Sequence, residues 1–113
     1  MHEMSLAEGV LGVVQDAARA HHPCAVRTVR LEIGELAAVE LDALRFAFEV
    51  VKRGSVAEDA QLEIVRVPGS AWCMQCSRSV SIAGRGEPCP GCGGWQLQVT
   101  NGEQMRVKEL ELA

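Results

Sequence analysis

No tyrosine occurs in this 113-residue chain, and only two tryptophans and two phenylalanines supply aromatic surface. Any apolar core must be built from Val, Leu, Ile and Ala. At 48% hydrophobic residues that is feasible for one small domain, with little to spare. Cations are scarce as well: 11 Lys and Arg against 15 Asp and Glu leave a net charge of −4. A nucleic-acid binder needs clustered Lys and Arg to displace counterions, so no nucleic-acid partner is expected. No apolar run approaches the roughly 20 residues of a membrane span. No basic, apolar and cleavage regions open the chain. The expectation is a cytoplasmic protein with no membrane segment. No Ser/His/Asp order, phosphate loop or catalytic-metal motif is present, so an enzyme is not expected.

Cysteine is present in odd number, five in all. Four form two tight pairs, Cys73-x2-Cys76 and Cys89-x2-Cys92, separated by twelve residues. Two thiolates three positions apart on a turn bite one metal ion, and two such turns complete a tetrahedron. Pro90 and Gly91 inside the second pair, and Gly93 after it, let the backbone fold around the sulfurs. Zinc is the first choice of metal, and iron in a rubredoxin-like centre uses the same ligands. A redox pair would sit at a helix start after a strand, and neither pair has that setting. From the residues of the insert alone, two classes of function stay open: a zinc-ribbon interaction module and an iron electron-transfer protein. The insert has only Arg78 and Arg85 as cations, too few to track a phosphate backbone. Cys24 stands apart and reads as a small buried hydrophobe.

Apolar periodicity predicts a helix over residues 5–20, with Leu6, Val10, Val13, Val14 and Ala17 on its buried stripe. Ser5 and Glu8 match a capping box at its start, and Pro23 ends the helical region. Residues 26–33 alternate: Val29, Leu31 and Ile33 point one way, Thr28, Arg30 and Glu32 the other, as in a half-buried strand. Gly34 permits a turn. A second helix is expected over 41–53, closed by Lys52, Arg53 and Gly54. Strands are expected over 61–67 and 105–112, the last with a slip between Val107 and Leu110. Residues 70–94 carry too few large aliphatics for an apolar core of their own, so a metal would hold them. The predicted fold is α+β: two helices packed on a three-stranded sheet, with a four-cysteine, zinc-ribbon-like insert before the last strand. Residues 1–69 and 99–113 form one expected domain and residues 70–98 the other.

The first residues, "MHE", pose a separate question. The amine of Met1, the backbone nitrogen of His2 and its imidazole can reach one metal through small chelate rings, and the backbone nitrogen of Glu3 can close a fourth corner. A square of nitrogens suits Ni(II) and Cu(II) and not zinc. It needs a free amine, and Met1 should be retained because methionine aminopeptidases cut only before small residues. The other reading of His2 is a terminal residue with no role. His21 and His22 read as solvent-facing residues of a helix-ending loop.

The stretches "MHEMSLAEGV" and "VRLEIGELAAVELDALRFAFEVV", the paired-cysteine insert and the closing "MRVKELEL" together resemble the HypA/HybF family of nickel metallochaperones, from end to end and in the same order. The resemblance implies a carrier. His2 would be the nickel ligand, with Met1 and Glu3 contributing amine and backbone donors and Glu40 an acidic group nearby. Cys73, Cys76, Cys89 and Cys92 would hold structural zinc. The cargo would go to a [NiFe]-hydrogenase large-subunit precursor, with the GTPase HypB as partner and urease maturation proteins as a second pathway. No histidine lies between residues 73 and 92, so the pH-dependent ligand exchange of some members is not expected.

Overall fold

The computed structural model describes residues 2–21 and 24–113. Three residues of the sequence argument, Met1, His22 and Pro23, lie outside them. Helix α1 spans His2–Arg19, strand β1 Val26–Gly34, helix α2 Leu41–Val51 and strand β2 Gln61–Val67. Strands β3 (Gly69–Cys73), β4 (Arg78–Ile82), β5 (Leu97–Asn101) and β6 (Met105–Leu112) follow. One sheet has the order β2-β1-β6, the other β4-β3-β5. The chain forms two compact units. The first comprises Met1–Leu31, Ala38–Ile64 and Val107–Ala113, the second Glu32–Ala37 and Val65–Arg106.

In the first unit, α1 packs against α2. It starts at His2, three residues before the expected cap, so Ser5 and Glu8 are inside the helix and cap nothing. Glu3 occupies the first turn, where a carboxylate is favoured by the helix dipole. The buried stripe is also rotated from the expected one. Ala7, Val10, Val14 and Ala18 go inside, while Val13 and Ala17 are exposed. Two apolar stripes run side by side on this helix, and packing selects the one whose small Ala7 and Ala18 allow close approach.

Val29, Leu31 and Ile33 of β1 are buried as expected, but Thr28, expected on the open face, is buried too and its hydroxyl donates to Glu111 at 3.0 Å. On that face of β1 Arg30 binds Glu63 at 2.8 Å and Glu109 at 3.2 Å. Leu44, Ala47 and Phe48 form the buried face of α2. Lys52, expected to serve the helix dipole in the last turn, is instead the buried C-cap residue. Its Nζ donates to the Ala60 carbonyl and meets Glu49, each at 2.8 Å. Gly54 just beyond has the expected left-handed φ of +76°.

The second unit corrects the expectation of a coreless insert. β3, β4 and β5 make a small antiparallel sheet, and Leu36, Ala71, Cys73, Val80, Ile82 and Cys89 bury a core against it, flanked by Leu97 and Val99. The aliphatics are few and small, and two cysteines supply the missing apolar volume.

The expected turn does follow Gly34, whose carbonyl accepts the Ala37 N–H at 3.0 Å, and close approach adds a second reason for glycine there. Gly34, Gly69 and Gly102 meet in this unit so closely that a Cβ on Gly34 would lie 1.8 Å from the Gly102 carbonyl oxygen. A Cβ on Gly102 would lie 2.7 Å from Gly69 Cα, and its φ is +93°. Gly102→Ala should therefore cost about 2–4 kcal/mol, combining backbone strain with a clash against main chain. Gly54→Ala, with positive φ but nothing within 4 Å, should cost about 1 kcal/mol. Urea unfolding of the two variants checks this. Equal losses would mean that crowding at Gly102 contributes nothing.

Candidate metal centres

Cys73 ends β3 and pairs in register with Arg78 at the start of β4, so the first cysteine pair occupies a hairpin turn. The second pair lies in the irregular segment before β5. The fold brings all four sulfurs within 4.8 Å of one another. Cys73 Sγ is 3.7 Å from Cys92 Sγ, and Cys76 Sγ is 3.9 Å from Cys89 Sγ. A tetrahedral metal with sulfurs at about 2.3 Å requires sulfur–sulfur edges of about 3.8 Å. A disulfide would need about 2.05 Å, and all the cysteines are free.

The two turns are built alike. Ser77 N–H donates to the Cys73 carbonyl and Gly93 N–H to the Cys89 carbonyl, both at 2.8 Å. Ser77 (φ +53°) and Gly93 (φ +75°) both adopt the left-handed conformation that swings the chain around the sulfurs. Backbone N–H groups of Cys76 and Gly91 point at the sulfurs of Cys73 and Cys89, each at 3.3 Å. Such donors favour thiolate. The N–H groups of Cys92 and Gly91 lower the Cys89 thiol to about 6, while Cys92 and Cys73 crowd Cys76 and raise it to about 12.

Four sulfurs fill the coordination sphere of a tetrahedral metal, so no position is left for substrate, although Cys92 itself is exposed. This is the donor set and closed geometry of a structural zinc site. Sequence reasoning missed the surround. The Gln75 side-chain amide meets Cys92 Sγ at 3.3 Å, and the Arg78 guanidinium, beside Gly91, lowers the Cys76 thiol against its crowding. A Cβ on Gly94 would lie 2.1 Å from the Gln75 amide oxygen, so a larger residue there would push that side chain off Cys92. A cation two residues past a cysteine pair was the available signal.

At the other candidate site, His2 is exposed, and its Nε2 lies 3.9 Å from the Glu3 carboxylate. Glu3 in turn accepts the Glu40 backbone N–H at 3.2 Å, which lowers its pKa from the usual 4.5. That bond is fully present above about pH 4.5 and is lost as acid takes Glu3 through its lowered value. Glu40 is the N-cap of α2, and its own carboxylate accepts from Asp42 N–H at 3.1 Å. The structure thus gathers His2, Glu3 and Glu40 where two helices begin. Beside them Glu3, Met4, Ala43, Phe46 and Ala47 line an apolar recess of ≈ 260 Å³, with Phe46 71% exposed. His21 is at the far end of α1, about 27 Å along an 18-residue helix. Cys24 is half-buried, with its thiol on the Ala18 carbonyl at 3.5 Å.

Fold and site together define a small α+β protein with a four-cysteine metal centre. A family model described as HypA, hydrogenase/urease nickel incorporation metallochaperone, matches residues 1–112. The chain belongs to the HypA family. It is 58% identical to a hydrogenase maturation factor HypA of Albidiferax ferrireducens and 56% to HypA 2 of Bradyrhizobium diazoefficiens, each over 99% of both chains. The solution structure of the Ni metallochaperone HypA from Helicobacter pylori is similar at a TM-score of 0.71. It is 27% identical, over 99% of this chain and 97% of that one. No helix of the described residues is long and apolar enough to cross a membrane.

Proposed function

We propose that this chain carries Ni(II) as cargo at its N-terminus and delivers it during maturation of [NiFe]-hydrogenase, with urease as a second recipient. The donors are the Met1 amine, the backbone nitrogens of His2 and Glu3, and the His2 imidazole, with the Glu40 carboxylate as an outer donor. One observation carries this reading: His2, Glu3 and Glu40 meet at the start of α1 and α2. The first N–H groups of a helix have no acceptor within it, so a backbone nitrogen of His2 or Glu3 can lose its proton to a metal without breaking a helical hydrogen bond. A chelate at a chain end can also release one donor at a time, which suits a carrier.

Zinc at Cys73, Cys76, Cys89 and Cys92 is structural and organises the second unit, which contains residues 70–98, while the first unit, with α1 and α2, holds the nickel. The GTPase HypB and the hydrogenase large-subunit precursor are the partners, and the compartment is the cytoplasm. X-ray absorption of the nickel-loaded, zinc-replete protein tests the reading. Nickel should show nitrogen and oxygen neighbours and zinc only sulfur. A first shell of nickel dominated by sulfur would move the cargo to the cysteines and end this reading.

A further inference from the structure

The four cysteine sulfurs are served by two kinds of polar neighbour. Cys73 and Cys89, the buried pair, accept from backbone N–H groups of their own turns, those of Cys76 and Gly91. Cys76 is half-buried and Cys92 exposed, and a side chain attends each. Gln75 reaches from the first turn to the second and meets Cys92 Sγ at 3.3 Å. The Arg78 guanidinium stands beside Cys76, whose thiolate it favours.

Both side chains occupy space left by a glycine of the second turn. A Cβ on Gly91 would lie 2.5 Å from Arg78 Nη2 and 3.6 Å from Cys76 Sγ. A Cβ on Gly94 would lie 2.1 Å from Gln75 Oε1 and 3.3 Å from Cys92 Sγ. One arrangement thus occurs twice: a missing methyl group, a polar side chain in its place and an open sulfur next to it. Neither glycine has a positive φ, so backbone conformation does not call for glycine at these positions. Room for the two side chains does.

Four thiolates around a divalent ion carry net negative charge, which N–H donors and a nearby cation spread and stabilise. A thiolate has no proton to give, so towards it the Gln75 amide presents its NH2 end, which has the shape of its oxygen end. Groups that orient metal ligands in this way typically change metal affinity about 10–100-fold. We propose that Arg78 and Gln75 are positioning residues of the zinc centre, which hold Cys76 and Cys92 in place as ligands and slow the loss of zinc. Gly91 and Gly94 are glycine to admit them. The proposal rests on zinc at the four cysteines.

The test follows zinc transfer from the zinc-loaded chain to an excess of a coloured chelator at neutral pH. The sulfur-to-metal charge-transfer band of the cobalt-substituted chain is recorded beside it. Arg78→Ala removes an exposed side chain and opens no core cavity. Gln75→Glu keeps the shape and sets a carboxylate against Cys92. Each should speed zinc transfer about tenfold. Each should also move the cobalt band to longer wavelength, because a sulfur that loses a donor gives up its electrons more readily. Gly91→Ala leaves Arg78 in the chain but fills its place, so it should act like Arg78→Ala. Added to Arg78→Ala, it should change the rate by less than about twofold. That non-additivity separates loss of the guanidinium from damage to the turn. Unchanged rates and bands in Arg78→Ala and Gln75→Glu, or a full further effect of Gly91→Ala without Arg78, would overturn the proposal. A parent chain with no sulfur-to-cobalt band would end the four-cysteine site itself, and the proposal with it.

Discussion

Replacing His2 by alanine should abolish specific nickel binding, with affinity falling at least about a hundredfold, while zinc content and helix content stay as in the parent. Loss of a group that only supports a metal ligand already costs 10–100-fold, and His2 would be a ligand itself. The fold should not notice. The imidazole is exposed and meets Glu3 at 3.9 Å, so its removal opens no cavity. A residue appended before Met1 should have much the same effect with no side chain removed, because the amine is then displaced from its chelate ring. Glu40→Gln should have a smaller effect, since glutamine keeps an oxygen for the Asp42 N–H and loses only the charge near the metal. Imidazole and backbone nitrogens must both be free of protons to bind, so affinity should fall with acid. Calorimetry in matched buffer compares the parent, His2→Ala and the extended form. Equal nickel binding by all three would remove the terminal chelate and direct attention to His21 and His22.

Cys73→Ser should reduce bound zinc from one per chain to none and unfold the second unit, leaving α1 and α2 protected from hydrogen exchange. The magnitudes decide this. At 0.05–0.15 kcal/mol per residue, a unit of this size has roughly 2–7 kcal/mol of stability. A structural zinc site contributes roughly 10–16 kcal/mol. The small core around Ala71, Val80 and Ile82 cannot replace it, and Cys73 is itself part of that core. The first unit has its own core in Val10, Val14, Leu31, Leu44 and Phe48. Acid should act in the same direction on the parent. Cys76, at about 12, always surrenders a proton to the metal near neutral pH, whereas Cys89, at about 6, is already ionised there. Below pH 6 Cys89 must surrender one too, so zinc affinity should fall more steeply with pH there than above. One zinc retained per chain in a Cys73→Ser/Cys89→Ser double variant would show that the four sulfurs are not the site.

Some of this protein was determined within short stretches of chain. The two cysteine turns are local chelates: three positions and a tight turn set which sulfurs bite, whatever the rest of the chain does. The terminal "MHE" is local in the same sense, since its chelate rings need only adjacent atoms. Helix α2 and most of β1 keep their periods because one face of each is plainly apolar, whereas β2 slips once, at Ile64 and Val65, which are both half-buried. Other features depended on residues far apart meeting. α1 offered two apolar stripes, and its start offered a capping signature and an acidic first turn. Periodicity cannot choose between such options, because the choice depends on the surface that the helix meets. Glu3 and Glu40 are 37 residues apart, and only the packing of α1 on α2 sets the Glu3 carboxylate on the Glu40 amide. Gly34, Gly69 and Gly102 show the same dependence. Each looks like an ordinary turn residue in its own stretch; Gly102 needs glycine already for its φ of +93°, but at Gly34 and Gly69 the requirement arises only when distant backbones converge. Burial and close approach are properties of pairs distant in sequence, so tertiary structure had to decide them.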